Sequence, residues 1–192
     1  MTHSRWACSI VANATRESLF GAALDVANQD AVSIGKAGVG DYCLRCHTPR
    51  GWLNGDVVKP GFGGSGGVDG EKGCRLLGNH AAHDSASNDY SGVDCHYCHR
   101  LMPTGPSGQA GLIGNANTWV DDAVFCTNED GSLYGGPCRR GPYPYTSATD
   151  PLQPPHGWVY SPYHGEAALC GACHDVSTPD TDAGPLKTLI RA

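Results

Sequence analysis

The chain has 192 residues, enough for one domain or two small lobes, and its 19 acidic against 13 basic residues give a formal charge of −6. It shows no basic block and no basic stripe interleaved with aromatics, which argues against a nucleic-acid partner, and no apolar run approaches a membrane span. Leu, Ile, Val and Phe make up only about 17% of residues, below the roughly 20% at which a chain begins to look unable to build a core, while 27 glycines and 13 prolines favour turns and extended chain.

The first patterned segment is "TRESLFGAALDVANQD". Leu19, Phe20, Ala23, Leu24 and Ala27 recur there at helical spacing, with Thr15 available as a cap. "CLRCH" follows, with Cys43, Cys46 and His47. The glycine-rich stretch "GWLNGDVVKPGFGGSGGVDGEKG" reads as a loop. Within a single 1–192 domain it is either a lobe boundary near 60–70 or a surface excursion. "GNHAAHD" then supplies His80 and His83, and "CHYCH" supplies Cys95, Cys98 and His99, with His96 inside the motif.

Further on, Cys126 and Cys138 flank "TNEDGSLYGGP", whose Asp-Gly and Gly-Gly steps predict a hairpin. "NEDGS" at 128–132 could offer carboxylates to calcium, but it lacks the length and acidic repetition of an EF-hand loop, so a plain turn is the reading. "RRGPYPYTSATDPLQPPHGWVYSPYHG", rich in proline and tyrosine, predicts an extended wrap carrying His156 and His164. "EAALCGACHD" predicts a short helix with Cys170, Cys173 and His174. Residues 179–192 form a tail ending in the strand-like "LKTLI".

C-x-x-C-H thus occurs three times. With nine histidines in the chain, a histidine after all three pairs by chance has odds on the order of one in ten thousand, and the motif is a c-type haem attachment signal. A two-residue gap lets two thiols reach the two porphyrin vinyls from one helical turn, and the following histidine can ligate the iron. Zinc needs four ligands, usually from two facing knuckles, and three knuckles do not pair evenly. A redox dithiol explains neither the histidines nor the triplication. Three haem c groups are therefore expected, bound through Cys43, Cys46, Cys95, Cys98, Cys170 and Cys173, with His47, His99 and His174 as proximal ligands. The fold class expected is a mostly irregular, loop-rich chain with a few short α-helices and little β, wrapped around the haems, and largely unfolded without them.

The remaining histidines are His3, His80, His83, His96, His156 and His164, and the only methionines are Met1 and Met102. Met102 lies too close to His99 in sequence to reach the far face of that haem, although it could serve another, and bis-histidine coordination at low potential is the economical expectation. His156, His164 and either His80 or His83 are the distal candidates. His96, held within an attachment loop, and His3, near the terminus, are weaker ones. Arg45, Arg50, Arg100, Arg139 and Arg140 could pair with propionates or stand as solvated charges. Of the four cysteines left over, Cys126–Cys138 and Cys8–Cys74 are the expected disulfides, with buried thiols as the alternative.

With these residues in view, "WACSIVANATRESLFGAALDVANQD", "GDYCLRCHTPRGWLNG", "GVDCHYCHRLMP", "RRGPY" and "SPYHGEAALCGACHDVSTP" resemble successive signature blocks of the multihaem c-type cytochromes of exported electron-transfer systems. Relatives often carry methionine near the position of Val11, so no ligand role is carried over there. The resemblance implies haem-mediated electron transfer and a loop-rich fold.

The function expected is that of an extracytoplasmic carrier or conduit, not an enzyme. Its partners would be redox proteins or extracellular acceptors, and the tail at 179–192 could join copies into a head-to-tail homopolymer. "MTHSRWACSIVANA" lacks the regions of a secretion signal, so a removed or external signal is inferred. The competing function is an oxidoreductase with one five-coordinate haem.

Overall fold

The computed structural model describes residues 2–35, 39–54, 90–105, 107–108, 114–116, 118–121, 125–127, 133–145 and 151–176. About half of these are helical, in short segments joined by coil, with six strands of two to five residues. The helices are α1 (Thr2–Ala7), α2 (Ser18–Ser33), α3 (Val39–His47), α4 (Pro49–Asn54), α5 (Cys95–Cys98) and α6 (Ala167–His174), and 3-10 turns span Val11–Asn13 and Pro162–Gly165. The chain divides into two compact units between Asp94 and Cys95. The glycine-rich stretch near 60–70, where a lobe boundary was one expectation, lies outside the described residues.

In the first unit α2 forms where the periodicity placed it, and its inward side keeps Leu24 and Phe20 of the expected set but not Leu19. Gly21, Leu24, Asn28 and Ala31 are buried, whereas Leu19 is 75% exposed. The Asn28 side chain accepts from the Gly40 N–H at 2.9 Å, satisfying a donor at the start of α3. Leu24, Leu44 and Tyr90 make the core, with Phe20, Cys43 and Trp52 packed on it. A fully buried leucine contributes about 2 kcal/mol, so this is a thin core. The segment before α5 is stitched to the N-terminus by Trp6 Nε1 donating to Val93 O (2.9 Å) and by Val93 N donating to Val11 O (2.8 Å).

The cap of α2 is Glu17 rather than Thr15. The Glu17 carboxylate accepts from the N–H groups of Leu19 (2.9 Å) and Phe20 (2.7 Å), while the Thr15 hydroxyl is turned inward to donate to the His47 carbonyl. These backbone bonds hold the Glu17 carboxyl below its ordinary 4.5. A depressed carboxylate contributes stability above its unfolded pKa, and that contribution is lost as pH falls through the folded value. Thermal midpoints measured across the acid range should therefore fall less steeply below pH 4.5 in Glu17→Gln than in the parent protein. Parallel acid limbs would mean that the cap does not form.

The second unit is assembled from three strand pairs. β1 (Leu101–Met102) pairs antiparallel with β2 (Trp119–Val120). β3 (Phe125–Thr127) pairs with β4 (Leu133–Pro137) through a bulged register, forming the hairpin that the turn residues anticipated. β5 (Arg139–Gly141) pairs in parallel with β6 (Trp158–Tyr160), so the expected wholly extended wrap contains a strand pair and then the 3-10 turn at Pro162–Gly165. Buried Tyr97, Leu101, Ala116, Trp119, Val120 and Ala172 supply its apolar interior. The Ala116 N–H donates to Ala172 O (2.7 Å) and the Asn115 N–H to Asp175 O (2.8 Å), closing the C-terminal end of α6. Asn115 and Ala116 reach those bonds with φ of 55° and 53°, and the neighbouring Gly114 has φ 96°.

Cys138 is disulfide-bonded. Cys8 is a free, exposed thiol, so the expected Cys8–Cys74 disulfide is not formed. Cys74 and the side chain of Cys126 lie outside the described residues, as do "NEDGS" and the tail at 179–192. No described helix is long and apolar enough to cross a membrane.

Candidate cofactor-attachment sites

All three C-x-x-C-H motifs fall on helical turns. Cys43 and Cys46 lie in α3, which ends at His47. Cys95 and Cys98 bound α5, which His99 follows, and Cys170, Cys173 and His174 close α6. Positions i and i+3 share a helix face, so each pair offers two thiols side by side, and none of the six cysteines is in a disulfide.

At the first site His47 is held on several sides. Its Nδ1 donates to Ala14 O at 2.9 Å, its ring lies parallel to Phe20 with centroids 3.9 Å apart and planes 3° apart, and its own carbonyl takes the Thr15 hydroxyl. A carbonyl can only accept, so Nδ1 carries the proton and Nε2 keeps its lone pair, the arrangement a metal-binding histidine needs. Burial pushes the Cys43 thiol up, with Cys46 adding to the shift. Beside the site the buried Arg45 guanidinium stacks over Tyr42 (5.9 Å) and Trp52 (5.5 Å). Desolvation lowers the pKa of Arg45, as it does for the buried Arg16. Arg50 reaches Asp94 at 3.9 Å on the surface.

The second site repeats the device with different parts. His99 Nδ1 donates to Arg140 O at 2.5 Å, and the Arg140 N–H returns a bond to His99 O at 2.8 Å. Strand β5 thus grips both the ring and the backbone of the histidine. Arg140 is also paired with Asp121 at 2.5 Å, and Arg100 Nε donates to Asp121 O at 2.9 Å. Arg139 donates to His96 Nδ1, which leaves the proton of a neutral His96 on Nε2. That tautomer is the reverse of the one found at His47 and His99.

At the third site Cys170 and His174 are exposed and Cys173 is half-buried. No hydrogen bond fixes the His174 ring among the described residues. Tyr163, from the preceding 3-10 turn, stands close to this motif. Burial raises its phenol first, and Cys173, Glu166 and Cys170 add to the shift.

The distal candidates separate by tautomer. His156 donates from Nδ1 to Gly157 O at 2.9 Å and keeps the Nε2 lone pair on an exposed segment. His164 donates from Nε2 to Cys98 O at 2.9 Å and accepts from the Ser161 hydroxyl at Nδ1 (3.0 Å), so both of its nitrogens are engaged. Burial, as the largest cause, lowers its pKa, and the bond to Cys98 opposes that shift. Its ring lies 6.0 Å from His99, with planes 13° apart. His3 lies in α1, Met102 is half-buried in β1, and His80 and His83 fall outside the described residues.

Among the described residues no three His, Cys, Asp or Glu side chains converge on one point. Phe20, read in the sequence only as part of a helical period, stacks on His47, and the supporting groups that the sequence did not single out are Asp121, Tyr163 and the carbonyls of Ala14 and Arg140. The chain matches no family model, no curated protein and no solved structure.

Proposed function

We propose that this chain is an extracytoplasmic electron-transfer protein that binds three c-type haems covalently, through Cys43 and Cys46, Cys95 and Cys98, and Cys170 and Cys173. When bound, each haem supplies one-electron exchange between ferric and ferrous iron. The observation that carries the reading is the pairing of two thiols on one helical turn with a following histidine, whose Nδ1 proton is committed to a backbone carbonyl at His47 and His99. Such a bond fixes the ring, leaves Nε2 as the ligating atom and makes it more basic.

The other chemistries fit less well. A structural zinc site brings four donors to one point, and here the donors of each motif are strung along a single turn. A redox dithiol works through a lowered thiol pKa, whereas burial raises Cys43. The disulfide at Cys138 accords with an oxidising compartment, which is also where this kind of haem attachment takes place.

The thin core of the first unit fits a fold that its cofactors complete. Cys43 packs on that core, so a group bonded to its sulfur is anchored there. For the distal side, His156 has the required tautomer. His164 would have to release the Cys98 carbonyl to ligate, and His3, His80 and His83 complete the pool.

The pyridine-haemochrome content of the purified protein tests the reading, together with its near-infrared magnetic circular dichroism. Three c-type haems per chain, all low-spin with two histidine ligands, are expected. Fewer haems would overturn the assignment, and a full set with one high-spin iron would favour the oxidoreductase instead.

A further inference from the structure

Arg140 and Asp121 make an ion pair whose side chains are only 14% and 5% exposed. Taking two charges out of water costs free energy that their mutual attraction often fails to recover, so such a pair is poorly explained by stability alone. Its connections point elsewhere. The residue whose guanidinium is pinned by Asp121 is the one whose carbonyl receives the His99 Nδ1 proton. Asp121 is in turn tied to Arg100, the residue after His99, by its own N–H to Arg100 O (2.9 Å) and by Arg100 Nε to Asp121 O (2.9 Å). Hydrogen bonds and the ion pair together connect His99 to Arg140, Asp121 and Arg100, the Arg140–Asp121 link being charge attraction without a hydrogen bond between Nη1 and Oδ2.

We infer that the Asp121–Arg140 pair is a positioning device for His99, and that it sets the reduction potential of the second site below those of the other two. The inference rests on the proposed haem attachment. A firmly held carbonyl acceptor makes the imidazole a stronger electron donor, which favours oxidised iron and lowers the potential. The acceptor for His47, at 2.9 Å, is the carbonyl of Ala14, whose side chain carries no charge, and His174 has no acceptor among the described residues.

The test is a spectroelectrochemical titration of the holoprotein carrying Asp121→Leu with Arg140→Met. Both charges go together, so net charge is unchanged. With three haems still present, the lowest of the three potentials should rise. The change expected is about tenfold in that haem's reduction equilibrium, which is about 59 mV for a one-electron couple. Asp121→Asn, which leaves the Arg140 charge unpaired, should move the same potential in the same direction, and Asp121→Glu, which keeps the pair, should hold the parent value. Three haems with unchanged potentials, or with all three shifted alike, would overturn the inference while leaving the haem assignment standing. Fewer than three haems in the parent protein would overturn both.

Discussion

Replacing Cys95 and Cys98 together with alanine should leave the protein with two covalent haems instead of three. The two thiols sit at the ends of α5, a single turn, and no other described cysteine shares that turn. The loss should be confined to one site, because the first motif belongs to the other unit and the third lies on its own helix, held by Asn115 and Ala116. Intact mass and haemochrome content report the outcome directly. Each single variant, Cys95→Ala or Cys98→Ala, should retain a haem through one remaining thioether with an altered haemochrome maximum. A double variant that still carries three haems would show that this motif is not an attachment site. Loss of all three would show that the sites do not load independently.

Gly92→Ala should cost the protein much of its stability. Gly92 has φ 69°, a conformation that costs an L-residue about 1–2 kcal/mol. A Cβ there would also run into the carbonyls of Val11 and Ala12, the latter 2.6 Å away. Those are backbone atoms in the stretch that binds Val93, so neither side can yield cheaply. A combined cost of about 3 kcal/mol would lower the thermal midpoint by roughly 10 °C in a chain of this size. Gly35→Ala separates the two contributions, since Gly35 has φ 75° with nothing within 4 Å of an added Cβ. Equal midpoints for the two variants would mean that the close approach of residues 11–12 and 92 is not present in solution.

The elements legible in the sequence are those encoded locally. The apolar period marked α2, the Asp-Gly and Gly-Gly steps marked the β3–β4 turn, and the three-residue offset of the cysteines placed each pair on one helical turn. The cap was misplaced for a tertiary reason, because the His47 carbonyl recruits Thr15 and Glu17 takes over its role. The buried face of α2 keeps Phe20 and Leu24 but extends to Asn28, whose partner Gly40 lies in α3 and is invisible to a helical period. Strands β5 and β6 are three residues each, too short to show a period, and their partnership is decided by residues far away in the chain. The groups that orient His47 and His99 were beyond any reading of side chains, since both acceptors are backbone carbonyls, which every residue possesses.

His99 and His164 bear on the order of events during folding. The bond that fixes His99 joins positions 41 residues apart, and the one from His164 to Cys98 spans 66. Contacts of such separation wait for long loops to close, so they form late in folding. If the proposed haem attachment holds, Cys95 to His99 would be an unclamped peptide until strand β5 arrives, and that interval would favour reaction at its thiols. Arrival of Arg140 then fixes the orientation of the His99 ring.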